Sequence, residues 1–345
     1  MDLIVIDGSH GEGGGQIVRT AVGLAAYLGV ACRVERIRRG RPNPGLRPQH
    51  VAGVKALLKV CRGEAEGLRV GSETLTFRPG PLRGGTIEID VGTAGSIGLV
   101  LQTLMLPAAK VPCTLRLLIR GGTDVAWAPP VGYLQRVTLP VLAQMGYRGE
   151  LQLRKRGYYP KGDGEVLFKA EGRTLRGLQL LEAGKLQRVE GISHASQGLA
   201  ERRVAERQRE AAMARLRREG IEAHIRIEYV STASTGSGLE LWAVFERTVL
   251  GANALGERGK RAEEVGNEAA EGLLRQISSG AALDEWMADQ ILPFLAVADG
   301  DSLVSFPRPT GHFTTNLWLM EQLPVGKTFR WWEDGGRGML EVRSL

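Results

Sequence analysis

The chain has 345 residues, of which 43% are apolar and 24% charged, the make-up of a soluble globular protein with a sizeable core and one large or two ordinary domains. This composition excludes a low-complexity or disulfide-stapled chain, and no apolar run approaches the 18 residues of a membrane span. The formal net charge is +7; nine of the 45 basic residues are Lys, leaving 36 Arg, and guanidinium forks onto phosphate, so a phosphate-rich partner is favoured.

Glycine is the compositional outlier, with 47 residues, about twice the usual share. The glycines fall between apolar segments and predict tight strand–helix junctions. The N-terminal MDLIVIDG reads as a short buried strand, not a leader peptide. GEGGGQIVRTAVGLAAYLG follows as a glycine turn and a helix, with Ile17, Ala21, Leu24 and Leu28 at helical spacing and Gly29 as the stop. VACRVERIR is a second strand. RIRRGRPNPGLRPQH then sets Arg36, Arg38, Arg39, Arg41 and Arg47 on a loop stiffened by Pro42, Pro44 and Gly45, before the amphipathic helix HVAGVKALLKV.

The same plan returns in TIEIDVG, TAGSIGLVLQTLMLPAA and CTLRLLIRGG. It returns again in PVGYLQRVTLPVLAQMG with RGELQLRKRG and GEVLFKA, and in DSLVSF, PTGHFTTNLWLMEQL and TFRWWED. Strand, glycine turn, helix and strand thus repeat about four times, which predicts an α/β (α+β) architecture of stacked βα units. Between about Leu178 and Ala270 the glycine turns thin out around a charged helix, GLAERRVAERQREAAMARLRREG, and two strands. The expected division is a large domain of residues 1–177 and 271–345 with a small inserted α/β domain, 178–270.

DGSHGEGGGQ can hold phosphate on the backbone NH groups of a helix start. It is not the dinucleotide fingerprint G-x-G-x-x-G, because Gln16 stands at the third glycine and Glu12 would repel a bare pyrophosphate. Glu12 makes better sense beside a metal ion that neutralises phosphates. VGKTF ends like a P-loop but lacks its first glycine and follows a helix. The arginine loop suits a polyanion; the arginines of the charged helix are interleaved with Glu201, Glu206, Glu210 and Glu219 and read as a solvated face. Gln102 stands among leucines, Asp289 and Gln290 lie on an otherwise apolar helix, and GGTDVAWAPP places Trp127 where an aromatic wall could meet a base.

Cys32, Cys61 and Cys113 are odd in number and far apart, so buried free thiols in a reducing cytoplasm are expected. None of the five histidines has a zinc-site spacing. His194 and His224 fall in the insert with no chemistry around them in the sequence. His312 begins the last strong helix. There the positive helix end keeps an imidazole neutral and gathers phosphate at the same place. A neutral histidine beside phosphate suits attack on phosphorus.

DGSHGEGGGQIVRTA, the arginine loop from Arg38 to His50, LVLQT, RGGTD with APP, GYYPKGDGEV, ADQ and GHFTTN occur in this order over nearly the whole chain. Together they closely resemble the RNA 3′-terminal phosphate cyclases. The resemblance implies a large domain similar to the C-terminal domain of a translation initiation factor, with an inserted α/β domain. It implies ATP-dependent conversion of an RNA 3′-phosphate to a 2′,3′-cyclic phosphate, with a divalent metal, Mg²⁺ or Mn²⁺. The histidine of H-x-x-T-N, here His312 with Thr315 and Asn316, would take AMP from ATP. Nucleotide contacts would fall on Glu12, which would also serve the metal, and on Gln102, Pro130, Trp286, Met287, Ala288, Asp289 and Gln290. Arg19, Arg38, Arg41, Gln49 and His50 would hold triphosphate or the RNA phosphate. Many members carry tyrosine where Trp286 stands. A related group keeps the fold without the histidine and serves ribosome assembly, so a non-catalytic RNA-binding factor is the alternative; a different transferase on a similar scaffold is another.

Overall fold

The computed structural model describes residues 3–92 and 94–345. Met1 and Asp2, part of the expected first strand, and Thr93, ahead of the second glycine-turn helix, lie outside the described residues.

The first unit runs β1 (Ile4–Asp7), α1 (Gly15–Leu28), β2 (Cys32–Glu35), α2 (Pro48–Cys61), β3 (Glu64–Glu66) and β4 (Leu75–Arg78). Its sheet order is β1-β2-β4-β3, with β1 and β2 parallel and the other neighbours antiparallel. The second unit runs β5 (Gly85–Asp90), α3 (Ile97–Ala108) and β6 (Leu115–Gly121). A helix follows, from α4 (Val131–Tyr133) through a π turn at Leu134–Thr138 into α5 (Leu139–Gln144), and then β7 (Arg148–Lys155) and β8 (Gly164–Glu171). Its order, β5-β6-β8-β7, repeats the first unit strand for strand, with the same single parallel pair.

A third unit opens with β9 (Gln179–Leu180) and is interrupted by β10 (Leu186–Ser196), α6 (Val204–Arg217), β11 (Ala223–Val230), β12 (Ser237–Phe245), β13 (Val249–Leu255) and α7 (Ala262–Ser278). It resumes with α8 (Glu285–Val297), β14 (Ser302–Phe306), α9 (Gly311–Glu321), β15 (Lys327–Asp334) and β16 (Arg337–Ser344), in the sheet order β9-β14-β16-β15. Each unit needs a helix to return a parallel neighbour and only short connections for the antiparallel strands. The fold is therefore mixed α and β, with three βαβαββ units in place of about four βαβ copies. The PVGYLQRVTLPVLAQMG helix is the second helix of unit two and not the start of a further copy, because both helices of a unit serve one sheet.

The apolar faces of the three units pool into one core, in which Ile17, Leu57, Leu101, Phe168, Leu292 and Phe313 are fully covered. A second core belongs to the interrupting segment, whose sheet runs β11-β10-β12-β13. Val189, Leu216, Leu239, Ala269 and Leu273 fill it. Residues 270 and 271 fall inside α7, whose Leu273 packs into this second core. Helix α6 lies on α7, and Arg207 forks onto Glu263 at 2.8 and 2.9 Å, so some of its charges are ties between helices rather than a solvated face.

Two smaller expectations fail for local reasons. Cys32 and Cys61 are buried, but Cys113 is exposed in the turn that joins α3 to β6. The first strand is not buried on both faces: its side chains alternate, so Ile6 faces the core while Val5 on the opposite face is exposed.

Candidate active site

His312 occupies the second position of α9. Thr310 caps that helix, its hydroxyl accepting from Phe313 N at 2.9 Å, which leaves the neighbouring imidazole at the positive end of the helix dipole. The His312 Nδ1 stands 2.7 Å from Glu12 Oε2. Glu12 is delivered by the glycine turn between β1 and α1. Gly11 has φ 58°, and a Cβ there would lie 2.4 Å from Thr315 Oγ1, so only glycine lets the turn lie against α9.

The turn is fastened to α9 at several points. Glu12 N donates to Thr315 Oγ1 at 3.3 Å, and Gln16 Nε2 donates to the His312 carbonyl at 3.0 Å. The His10 ring stacks on Trp318 with centroids 3.8 Å apart. Gln16 is the residue that breaks the dinucleotide fingerprint, and here it ties the first unit to the third. Its role, and those of His10 and Trp318, escaped the sequence, because their partners lie some 300 positions away in the chain.

Half of the His312 side chain remains open to solvent. Burial of the rest lowers its pKa, Arg19 and Arg41 lower it further, and Glu12 opposes them. The ring is neutral at neutral pH. A carboxylate on Nδ1 selects the tautomer with the proton on Nδ1 and leaves the Nε2 lone pair free.

Arginines surround this pair. Arg41 donates to the Glu12 carbonyl at 3.0 Å and lies 3.8 Å from its carboxylate. Among the described residues Arg38 bonds to the carbonyls of Asn43 and Gly45, and burial together with Arg47 and Arg41 lowers its pKa. Arg19, on α1, is brought down to about 10 by burial, with Asp289 opposing. Among the described residues Arg19, Arg38 and Arg47 have no carboxylate within salt-bridge distance, so the cleft is short of negative charge. His50, on α2, is buried; its Nδ1 accepts from Arg47 N at 3.0 Å, and its Nε2 faces Gly15 at the start of α1. Burial and Arg19, Arg38 and Arg47 hold its pKa at about 3, so it is a neutral wall that adds no competing charge. Gln49 lies beside it, half-buried, in the same first turn of α2.

Helix α8 supplies the other side. Asp284, its N-cap, is fully buried and accepts from Trp286 N at 3.1 Å, Met287 N at 2.8 Å, Tyr133 Oη at 2.6 Å and Gly251 N at 2.9 Å. It therefore pins α8 to α4 and to β13; the Asp before an apolar helix was the signal for it. Burial moves its pKa up to about 6. Asp289 is buried too, and burial and Asp284 raise its pKa well above the carboxylate range. Its backbone carbonyl accepts from Asn316 Nδ2 at 2.9 Å, which joins α8 to α9. Thr138 donates to Gln290 at 3.4 Å. Trp286 is half-buried, edge-on to Tyr133. Met287 and Ala288 point into the core. Gln102 is half-buried on α3, and Pro130 is buried at the start of α4. The structure thus brings Glu12, His312, Arg19, Arg41 and Asp289 together. A basin of about 670 Å³ lined by Arg148, Arg173 and Arg176 contains none of the expected residues.

His194, which the sequence left without chemistry, sits in a second charged cluster. Asp124, His194 and Glu240 offer ligand atoms within 4.8 Å of one another, all buried. Arg156 already fills the middle, with Nη1 at 3.1 Å from both Asp124 oxygens and from Glu240 Oε1. A guanidinium in that place does the work of a cation, so the trio does not fit a divalent metal. Glu12 is the acid beside the arginine cleft, and a single carboxylate does not by itself make a cation site.

An imidazole with a carboxylate on Nδ1 and arginines around it lies where the first and third βαβαββ units of this mixed α/β protein meet. The sequence profile of the RNA 3′-terminal phosphate cyclases matches residues 10–330. The chain is 46% identical to the RNA 3′-terminal phosphate cyclase of Methanopyrus kandleri, over 99% of both chains. It is 46% identical to that of Pyrococcus furiosus, over 95% of this chain and 94% of the other. For Archaeoglobus fulgidus the figures are 45%, 95% and 97%. The chain belongs to the RNA 3′-terminal phosphate cyclase family and is an enzyme of that family.

Proposed function

We propose that this protein converts an RNA 3′-terminal phosphate to a 2′,3′-cyclic phosphodiester at the expense of ATP, through AMP carried on His312. The observation that carries the reading is the 2.7 Å approach of Glu12 to His312 Nδ1. It leaves Nε2 as the nucleophile. Nε2 attacks the α-phosphorus of ATP, the P–O bond to the β-phosphate breaks, and pyrophosphate leaves. An oxygen of the RNA 3′-phosphate then attacks the phosphorus of the P–N adduct and frees the imidazole. The 2′-OH attacks the 3′-phosphorus, AMP leaves with the bridging oxygen, and the hydroxyl proton passes to solvent. The RNA has lost one water overall. Activation replaces a poor leaving group by AMP, and ring closure gains from a 2′-OH already in place.

Arg19, Arg38 and Arg41, with Gln49 and His50 behind them, hold triphosphate and RNA phosphate. Trp286, Pro130, Gln102 and Gln290 hold the nucleoside. Asp289, buried on α8, belongs with these nucleotide contacts in this reading. A divalent metal would arrive with the nucleotide, beside Glu12, and would neutralise phosphate charge. The three units correspond in this reading to an initiation-factor-like large domain, the interrupting segment to a small domain that extends to the end of α7, and the setting to the cytoplasm.

The test is the mass of a 3′-phosphorylated oligoribonucleotide after incubation with enzyme, ATP and Mg²⁺ or Mn²⁺. Loss of one water supports the reading. An unchanged RNA that is nevertheless bound, without ATP consumption, favours a non-catalytic factor.

A further inference from the structure

The segment that leads into α4 carries Trp127, which is 99% exposed. Its backbone is left-handed, with φ 63°, a conformation that a bulky side chain adopts only where the surroundings impose it. Beside this segment lies the turn that carries Tyr159, 76% exposed. The two are locked together at their roots. Thr123 N donates to the Gly157 carbonyl at 2.9 Å, Gly157 N donates to Thr123 Oγ1 at 2.9 Å, and Asp124 pairs with Tyr158 in a parallel bridge.

Those roots are anchored in turn. Asp124 is gripped by Arg156, and the buried Tyr158 hydroxyl meets His194 Nδ1 at 2.7 Å. The Arg156 cluster, which has no place in the chemistry at His312, thus fixes two loops that hold aromatic rings out in water. The same segment continues through Pro130 into α4, whose Tyr133 bonds to Asp284 of α8; α8 is joined by Asn316 to the helix of His312. Loop, platform and nucleophile share one continuous packing.

Water-exposed rings on an anchored base call for a flat, apolar-faced partner. A protein interface would need a contiguous apolar patch. Here Trp127 is flanked only by the small residues Val125, Ala126, Ala128 and Pro129, while Tyr159 is followed by Pro160 and Lys161, and the chain as a whole carries a net charge of +7. Two exposed rings set apart on anchored loops of a net-positive chain match successive bases of a single strand, which stack without regard to sequence.

We propose that Trp127 and Tyr159 form a base-stacking platform for the nucleotides that precede the RNA 3′ end, holding the strand while its terminal phosphate reaches His312. This rests on the function proposed above. The test compares wild type, Trp127→Ala and the Trp127→Ala/Tyr159→Ala double variant on a 3′-phosphorylated dinucleotide, a decanucleotide, and the same decanucleotide with abasic internal positions. The expected result is a fall in kcat/KM of about tenfold on the decanucleotide, carried by KM. The dinucleotide and the abasic strand show no such difference, and the yield of protein-bound AMP from ATP alone is unchanged. An unaltered KM on the decanucleotide overturns the platform. So does an equal loss on the abasic strand, a loss of AMP labelling, or a self-association that the variants abolish. Failure of the underlying function looks different: wild type would then cyclise none of the three RNAs, and their binding affinities would decide the platform by the same pattern.

Discussion

Glu12 and His312 come from opposite ends of the chain and meet at 2.7 Å, the carboxylate on Nδ1 and the other ring nitrogen left free. The pairing assigns Glu12 to orienting the ring. Glu12→Ala is expected to slow AMP transfer to the protein on the order of 10²-fold, as when a carboxylate that orients a functional histidine is removed. Glu12→Gln, which can still accept from Nδ1–H, loses less. Single-turnover labelling with α-labelled ATP measures both, and equal rates for the three proteins would contradict the assignment.

Gly311 separates the site from the stability of its helix. A Cβ there would lie 2.2 Å from Glu12 Oε1 and 2.8 Å from its Cδ, so the carboxylate must move away from His312. Alanine is otherwise better than glycine in a helix by up to about 1 kcal/mol. Gly311→Ala should therefore keep or raise the melting temperature while AMP transfer falls at least tenfold, as expected of a small misplacement at a reacting centre. Parallel thermal melts and labelling rates check the two readouts.

The pH dependence follows from the lowered pKa of His312, whose first cause is burial. Protonation removes the Nε2 lone pair, so the rate of AMP transfer should be level through neutrality. It should fall on the acid side with an apparent pKa below the ordinary 6.5. Because Glu12 pulls that pKa upward, Glu12→Ala should move the acid limb to still lower pH even as the rate drops. A limb that moves upward would be the wrong sign.

The Arg156 cluster predicts a stability effect remote from His312. Glu240 is raised to about 7, chiefly by burial, while Asp124 is held at about 2 with Arg156 as its main stabilising partner. A carboxyl with a raised pKa favours folding most when it is protonated, so its contribution fades as pH rises through about 7. Arg156→Met leaves buried carboxylates unpaired and should cost about 3–5 kcal/mol. The cost should be larger at pH 8, where Glu240 is charged, than at pH 5.5. Denaturant unfolding at the two pH values reads the difference.

Much of the site was legible because its residues sit at junctions with strong local grammar. Glycine turns and a capped helix marked Glu12 and His312, and proline with glycine marked the arginine loop. Periodicity found nearly every helix, but it could not count sheets. A βαβ pattern looks the same whether each copy owns a sheet or two copies share one, and Glu64–Glu66 has no apolar alternation to betray its strand. The sequence marks no sharp end to the interrupting segment, because α7 is amphipathic in the same way whichever core it joins. His194 was passed over because its partners, Asp124, Arg156 and Glu240, are distant in sequence and each is unremarkable alone. Met287 and Ala288 share a motif with Asp289, yet a helix turns them inward.

The central claim is that His312 carries AMP. Wild type and His312→Ala are each incubated with ATP and metal, digested under mildly alkaline conditions that spare a P–N bond, and the peptides weighed. The account predicts AMP on the peptide containing His312, lost on brief acid treatment, and neither adduct nor cyclic RNA from His312→Ala. AMP on any other peptide, or cyclic product from His312→Ala at an undiminished rate, would contradict it.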